Sequence, residues 1–223
     1  MKLEDIIKSF YWQSKIVKIG DSKYVLKCYS ANAGIKWYFI SSLFSRSYPY
    51  SADPLLRMRR EVDFLTFPWK KITVPKLIDI DYYTNCIIRE FSEGREPSTT
   101  DDFYGIGYGL RAIHDNEFVM GDTKLENFLL SNEKTSVIDA EQAIKSNNVE
   151  YKSWDILVFS LFLAYKYMND LKGFDEMMLS FLRGYGPSSE ITKNIISLRN
   201  LNLLSFFPAF HLNNLKKLIH NFN

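Results

Sequence analysis

Two short segments near the start of the chain alternate apolar and polar residues. Residues 15–19 and 23–29 are rich in β-branched and aromatic side chains, and Gly20-Asp21-Ser22 between them supplies a turn. This pattern predicts a β-hairpin. Two further strands are predicted, around residues 72–80 and 86–91. The first part of the chain is therefore expected to be mainly β-sheet.

One helix interrupts this β-rich part. Asp53-Pro54 is a typical helix start, with an N-cap residue followed by a proline in the first turn. The apolar stripe at helical spacing consists of Leu55, Met58, Val62 and Leu65. Pro68 is expected to end the helix. Residues 30–52, in contrast, are rich in Ser and Tyr and have no clear period, which predicts an irregular insertion.

The pattern changes after residue 92. Glu93-Gly94 and Pro97-Ser98 mark a break, and the chain beyond it is mostly helical in pattern. Helices are predicted after residues 100–102 and over 154–168.

A polar turn at residues 131–134 lies between two apolar stretches and predicts a second hairpin. Gly105, Gly107 and Gly109 keep helical phase and are expected to allow close helix packing. We therefore predict an α+β fold of two lobes. A β-rich N-terminal lobe with one helix would cover residues 1–94, and a mainly helical C-terminal lobe residues 95–223.

Composition excludes several classes of protein. Hydrophobic content of 46% and aromatic content of 16% are typical of a globular protein, and a net charge of +2 implies no strong field for nucleic acid or membrane. The longest apolar run, 156–165, is too short to cross a bilayer. Cys28 and Cys86 lie in apolar strand-like stretches, so we expect two buried free thiols. With no apolar signal core behind Met1, this predicts a cytoplasmic protein.

The candidate chemistry lies in the second half of the chain. Asp122 and Asn127 are five residues apart, and Asp139 follows at the end of an apolar strand. An unpaired carboxylate at such a position is costly unless a cation meets it. One group to orient an acceptor hydroxyl and two oxygen ligands for magnesium are what phosphoryl transfer from a nucleotide requires. The spacing therefore favours a phosphotransferase.

Three charged residues could complete such a site. Lys27 lies in a β-rich segment and could reach nucleotide phosphates, although a strand lysine is usually exposed to solvent. Glu61 could hold Lys27 in place, or form an ordinary helical ion pair with Arg57. Lys124 could neutralise charge on the transferred group or be a surface residue. The order of these residues along the predicted elements favours the functional alternatives.

These residues resemble the protein-kinase-like superfamily. Leu110 to Leu130, with His114 and Gly121-Asp122 inside it, looks like the catalytic loop and its preceding helix. Asp139 resembles the aspartate of the D-F-G motif, and Asp155 the buried aspartate that opens the long helix of the large lobe. Gly121-Asp122 and the short stretch between Asp139 and Asp155 are most similar to the atypical RIO and KEOPS-complex kinases.

The resemblance implies a self-phosphorylating serine/threonine protein kinase that uses ATP and Mg²⁺, with Mn²⁺ as a substitute. Asp122 would orient the acceptor hydroxyl, and Lys124 would stabilise the moving phosphoryl group. Asn127 and Asp139 would bind the metal. The remaining nucleotide contacts would come from Lys27, from Glu61 through Lys27, and from the hinge Glu90, Phe91 and Ser92. No protein substrate is specified by these motifs, and neither a membrane nor a nucleic-acid partner is expected.

The chain also departs from the kinase pattern. No glycine occurs in residues 1–19, so no glycine-rich loop precedes Lys27. Met120 and Gly121 replace the usual His-Arg, which removes the arginine that would sense a phosphorylated loop. Ala140-Glu141 replaces Phe-Gly, and Glu141 is either a further metal ligand or the partner of a basic residue. A small-molecule kinase, and an ATPase switch or pseudokinase acting through a partner, therefore stay open as alternatives.

Overall fold

A four-stranded antiparallel sheet forms the first lobe of the computed structural model, which describes residues 13–131 and 134–222. Its strands are β1 (Ser14–Ile19), β2 (Ser22–Cys28), β3 (Leu77–Asp81) and β4 (Cys86–Glu90), in the spatial order β1-β2-β4-β3. Gly20 has a positive φ of 59° at the tight turn between β1 and β2, a conformation that glycine adopts without strain. The predicted hairpin and the strand around residues 86–91 are confirmed, whereas the strand predicted around 72–80 covers only Leu77–Asp81.

Lys27 lies on the inner face of this sheet. Residues of β2 alternate in burial, so that Val25 and Lys27 point inward. Their partners on β4 are Arg89 and Ile87, which are also buried. The inner face of a sheet is usually apolar, but this one carries two buried cations, Lys27 and Arg89. Both need partners from outside the sheet.

Helix α2 (Pro54–Thr66) packs against this face. It follows helix α1 (Ala31–Phe44) in the chain. Asp53 caps α2 by accepting a hydrogen bond from the backbone N–H of Leu56 at 2.6 Å. The predicted stripe is confirmed, since Met58, Val62 and Leu65 are buried in the small core of this lobe. Arg57 and Glu61 on the same helix are buried as well, which brings charged groups to the cations of the sheet.

The prediction of an irregular insertion over residues 30–52 is wrong for most of its length. Residues Ala31–Phe44 form helix α1. Apolar residues occur on every side of this helix, so its sequence carries no helical period. Trp37 is buried, whereas Tyr38 and Phe39 are largely exposed. The extended segment 47–53 then connects α1 to α2.

The second lobe is mainly helical. Its helices are α3 (Thr100–Asp115), α4 (Val149–Lys166), α5 (Leu171–Tyr185), α6 (Ser189–Ile195), α7 (Leu201–Leu204) and α8 (Ala209–His220). Thr99 rather than Thr100 caps α3, through a capping box with Asp102. Helices α3 and α5 approach so closely that a Cβ at Gly107 would lie 2.1 Å from the carbonyl of Phe181. The expected role of Gly107 in helix packing is thus confirmed.

Short strands hold the loops that carry the candidate chemistry. Strand β5 (Phe118–Val119) pairs with β8 (Ile144–Lys145), and β6 (Phe128–Ser131) pairs with β7 (Lys134–Val137). After the roles predicted for their residues, we call residues 120–127 the catalytic loop and residues 138–143 the metal loop. The catalytic loop follows β5 and ends in a 3₁₀ turn before β6, and the metal loop joins β7 to β8. Among the described residues, no helix has the length and apolar character needed to cross a membrane.

The two cysteines are not free thiols. Cys28 and Cys86 are directly opposite each other on the paired strands β2 and β4, and they form a disulfide. The expectation of two free thiols was wrong because strand register, which places the two sulfur atoms together, is set by the whole sheet. The cysteines therefore give no support to a reducing compartment, and the cytoplasmic location stays a prediction.

Reducing this disulfide should destabilise the first lobe. The bond closes a loop across a sequence separation of 58 residues, so its loss should lower the free energy of unfolding by about 2–4 kcal/mol. Urea unfolding with and without reductant measures the difference. The double variant Cys28→Ser with Cys86→Ser is the control, because reductant should not affect it. Equal midpoints for the oxidised and reduced wild-type protein would contradict the expectation.

Candidate active site

The ammonium of Lys27 is the centre of a buried charge cluster. It contacts the carboxylate of Glu61 from helix α2 and lies 2.9 Å from Oδ1 of Asp139 in the metal loop. A third carboxylate, that of Glu141, lies 3.6 Å away. Burial alone would lower the pKa of Lys27, but Asp139 and Glu61 outweigh this effect and raise the pKa. Lys27 is therefore fully charged.

Glu61 is held on both sides. The Tyr29 hydroxyl donates to its Oε2 at 2.6 Å, beside the contact with Lys27. Its other oxygen, Oε1, lies 3.9 Å from Nε of Arg89. Burial raises the pKa of Glu61, and Lys27 opposes that shift. The hypothesis that Glu61 positions Lys27 has direct geometric support, because the Lys27–Glu61 contact is formed.

Asp139 presents one oxygen to the protein. Its Oδ1 accepts hydrogen bonds from Lys27 and from the backbone N–H of Glu141, whereas Oδ2 accepts none from the described residues. Burial would raise the pKa of Asp139, but the charge of Lys27 prevails and holds the pKa well below its usual range. The loop itself is fixed by Arg89, which donates to the carbonyl of Ile138 at 2.9 Å. Asp139 is thus an ionised carboxylate with a free oxygen.

The catalytic loop brings Asp122, Lys124 and Asn127 together. Nδ2 of Asn127 donates to the backbone carbonyl of Asp122 at 2.7 Å, and Oδ1 of Asn127 accepts no hydrogen bond from the described residues. Nζ of Lys124 lies 3.5 Å from Oδ2 of Asp122. Burial raises the pKa of Asp122, while Lys124 acts in the opposite direction.

The two loops are joined through the backbone. The N–H of Ile138, one residue before Asp139, donates to the carbonyl of Asn127 at 3.0 Å. This bond places the backbone segments of Asn127 and Asp139 side by side. Each segment carries a side-chain oxygen, Oδ1 of Asn127 and Oδ2 of Asp139, that accepts no hydrogen bond from the described residues. A carboxylate and an amide oxygen suit Mg²⁺, which is usually bound by one or two protein oxygens together with substrate phosphates. The residues present therefore fit the metal that the site implies.

Asp155, in the second turn of helix α4, supports the backbone of the catalytic loop. Its carboxylate accepts from the backbone N–H groups of Met120 at 2.7 Å and Gly121 at 2.6 Å, and from Nε2 of His114 at 2.9 Å. Burial lowers the pKa of His114, so its neutral ring donates to Asp155 and accepts from the Tyr185 hydroxyl. A single buried carboxylate thus fixes the backbone just before Asp122.

Glu141 serves the protein rather than a metal. Arg57 donates to its Oε2 at 2.8 Å, and the indole N–H of Trp37 donates to its Oε1 at 2.6 Å. Although Glu61, Asp139 and Glu141 are close enough together to hold an ion, these contacts occupy both oxygens of Glu141. The possible helical pair between Arg57 and Glu61 is not formed, because Arg57 pairs with Glu141 instead.

Tyrosines from the segment 47–53 complete the site. The Tyr48 hydroxyl lies 2.8 Å from the carbonyl of Gln142 and 3.2 Å from that of Val119. The Tyr48 ring fills the space where a side chain at position 121 would lie. A Cβ on Gly121, whose φ is +73°, would be 2.3 Å from this ring. The geometry thereby explains why position 121 is occupied by glycine.

In the expected hinge, residues 90–92, two of the three backbone N–H groups are already hydrogen-bonded. The N–H of Glu90 donates to the carbonyl of Lys76 at 2.9 Å, and the N–H of Phe91 donates to that of Lys23 at 3.1 Å. Among the described residues, the backbone N–H of Ser92 has no such partner. Adenine binding by Glu90, Phe91 and Ser92 stays a prediction, with the N–H of Ser92 as the available donor.

Several site residues could not be found from the sequence. Trp37, Tyr48 and Tyr50 support the charged groups, yet the sequence around them has no period or motif. Tyr29 ends a segment that predicts a strand, but nothing in that pattern assigns it to the site. The high density of tyrosine in residues 29–50 was the available signal, since tyrosine is well suited to a half-polar interior.

Comparison with known proteins identifies no family. No protein-family model matches the chain, and no curated protein matches it. Among solved structures, the chain is similar to WaaP in complex with acyl carrier protein. The sequence identity is 13%, the match covers 92% of this chain and 84% of that chain, and the TM-score is 0.47. The structure itself shows an α+β fold of two lobes, a four-stranded antiparallel sheet with its helices followed by a mainly helical part.

Replacing Asp155 should destabilise the protein and loosen the catalytic loop. In Asp155→Asn, an amide group would face backbone N–H donors that now meet a carboxylate, so we expect a loss of about 3 kcal/mol in the free energy of unfolding. Denaturant unfolding measures this loss. The control is Asp115→Asn, at the exposed end of α3, which should change stability by less than about 1 kcal/mol. Equal stability of the two variants would contradict the role given to Asp155.

Proposed function

We propose that the protein is an ATP- and magnesium-dependent phosphotransferase. One observation carries the proposal. Lys27 from the sheet, Glu61 from helix α2 and Asp139 from the second lobe meet in one cluster, although 112 residues separate Lys27 from Asp139. Bringing such distant charges together in a buried place is expensive for the fold, and residues that bind a triphosphate supply a reason for it.

Lys27 would hold the phosphates of the nucleotide. Its charge is secured by Glu61 and Asp139, and its compact ammonium can donate to phosphate oxygens. Asn127 and Asp139 would hold magnesium, which when bound would neutralise charge on the phosphates. Ser92 would offer its backbone N–H to adenine.

Asp122 would orient the acceptor hydroxyl and take up its proton. The partly buried carboxylate has a pKa raised by burial, which makes it a better proton acceptor than an ordinary aspartate. Lys124 lies 3.5 Å from this carboxylate and would stabilise negative charge on the phosphoryl group as it moves.

We infer a protein acceptor, with serine or threonine as the attacking residue and self-phosphorylation as a readout. Support comes from Lys124, which looks like the lysine of the protein-kinase catalytic loop and lies 3.5 Å from Oδ2 of Asp122. The protein substrate and the role of residues 186–223 are not fixed by this inference.

A small-molecule kinase is the second candidate, and one observation favours it. Only nine residues separate Asp139 from helix α4, and two of them, Ile144 and Lys145, pair with β5. Little extended chain is left beside Asp122 to bind the backbone of a peptide. Such a site suits a compact acceptor.

Labelled ATP with magnesium tests the proposal. The readouts are self-labelling, labelling of a generic protein, labelling of added small hydroxylated acceptors, and free phosphate. Transfer by the wild-type protein is expected, and Lys27→Met and Asp139→Asn should each lower its rate by about 100-fold or more. Free phosphate without a labelled acceptor would indicate an ATPase switch instead.

Lys15→Met is the matched control for the lysine, since Lys15 is an exposed residue of the neighbouring strand β1. It should transfer phosphate at the wild-type rate. Full activity of Asp139→Asn in a folded protein would exclude Asp139 as a metal ligand, and full activity of Lys27→Met would remove Lys27 from the site.

The dependence of the rate on pH should report Asp122. Its carboxylate must be ionised to accept a proton, so the rate falls as the pH decreases through its pKa. Because burial raises that pKa and Lys124 lowers it, Lys124→Met should move the acidic limb of kcat to higher pH. Lys172→Met, on an exposed part of α5, should leave the limb in place. A limb unchanged by Lys124→Met would show that Asp122 is not the group observed.

A further inference from the structure

Two tyrosines that precede helix α2 reach into the loops of the second lobe. The Tyr50 hydroxyl donates to the carbonyl of Gly121, and the Tyr48 hydroxyl contacts the carbonyls of Val119 and Gln142. These contacts join residues that are about 70–95 positions apart in the chain. The segment 48–51 is therefore attached to the catalytic loop and to the metal loop at once.

The contact of Tyr50 falls on a critical peptide bond. The carbonyl of Gly121 belongs to the same planar peptide unit as the backbone nitrogen of Asp122. Trp154 supports this contact, since its indole N–H donates to the Tyr50 hydroxyl at 2.9 Å and lies 3.3 Å from the Gly121 carbonyl. On the other side, Asp155 accepts from the N–H of Gly121. Both the N–H and the C=O of Gly121 are thus hydrogen-bonded, which fixes the backbone from which the Asp122 side chain extends.

The same segment holds the metal loop through Gln142, three residues after Asp139. The backbone N–H of Ser51 donates to the side chain of Gln142 at 2.9 Å, and that side chain donates back to the carbonyl of Ser51 at 2.9 Å. The Tyr50 ring also stacks on Trp37, with ring centroids 5.4 Å apart, and Trp37 donates to Glu141. The segment 48–51 therefore holds the metal loop directly through Gln142, and indirectly through Glu141 by way of Trp37.

Helix α2 continues directly from this segment. Its N-cap, Asp53, lies two residues after Ser51, and the helix carries Glu61. One short stretch of chain thus connects the helix that positions Lys27 with the loops that carry Asp122 and Asp139. All three parts of the proposed reaction site share this connection.

We propose that Tyr50 is a positioning residue for phosphoryl transfer, which fixes the catalytic loop through the Gly121 carbonyl. The segment 48–51 then sets the placement of Asp122 relative to Asp139 without a covalent modification. This inference rests on the proposed function. Among the described residues, the Tyr50 hydroxyl bonds to Gly121 and Trp154 and not to Lys27, Glu61 or Asp139, so we expect its effect on the rate of the chemical step rather than on nucleotide binding.

Tyr50→Phe is the test, because it removes one hydroxyl and keeps the ring. We expect kcat to fall by about tenfold, because a loosened loop would place Asp122 less accurately for the transition state. KM for ATP should change by less than about twofold, because Lys27, Glu61 and Asp139 are untouched. Tyr151→Phe is the matched control. The Tyr151 ring packs on Tyr48, and its hydroxyl makes no hydrogen bond to the described residues, so kcat should be unchanged.

Amide hydrogen exchange gives a readout that does not need activity. Peptides covering residues 119–126 should exchange faster in Tyr50→Phe than in wild type or Tyr151→Phe, while peptides from helix α5 should not change. Unchanged exchange in residues 119–126, or a kcat equal to that of Tyr151→Phe, would overturn the proposal. Absence of transfer by the wild-type protein would instead count against the proposed function, and hydrogen exchange would still decide whether Tyr50 holds the loop.

Discussion

The buried charge of Lys27 is the constraint on which the arrangement of the lobes depends. An ammonium on the inner face of a sheet is stable only if anionic partners meet it there. Glu61 comes from helix α2 and Asp139 from the second lobe, so satisfying one charge requires the sheet, the helix and the metal loop to meet. The pairing is local in space but distant in sequence, and it fixes how the sheet, helix α2 and the metal loop lie relative to one another.

A second buried pair, Arg57 with Glu141, extends this cluster. Arg57 lies one turn before Glu61, so helix α2 faces the metal loop with a cation and an anion on the same side. Arg57 pairs with Glu141, and Glu61 pairs with Lys27. Rotation or sliding of the helix would break both pairs together and is therefore costly. Glu141 thereby has a structural role, since it is the partner that the buried Arg57 needs.

The sequence predicted those parts of the site in which pattern and chemistry coincide. Helix α2 followed from its cap and apolar stripe, and the pairing of Lys27 with Glu61 from the order of elements. The helix Ala31–Phe44 could not be predicted, because residues that are apolar on every side give no period. The disulfide between Cys28 and Cys86 and the contact of Tyr48 with Gly121 depend on register and on a fold-level approach of distant segments. No local pattern encodes either of them.

The geometry of Lys27 also bears on how a nucleotide could enter a site that is already paired. An ammonium has three N–H donors. Glu61 and Asp139 take two of them, and the carboxylate of Glu141, at 3.6 Å, is too distant for a hydrogen bond. Within residues 13–131 and 134–222, one donor of Lys27 therefore has no hydrogen-bond acceptor and could meet a phosphate oxygen, and Oδ2 of Asp139 could meet a cation. A nucleotide with its metal could bind without separating Lys27 from either carboxylate, so the buried pairing would organise the site before the ligand arrives.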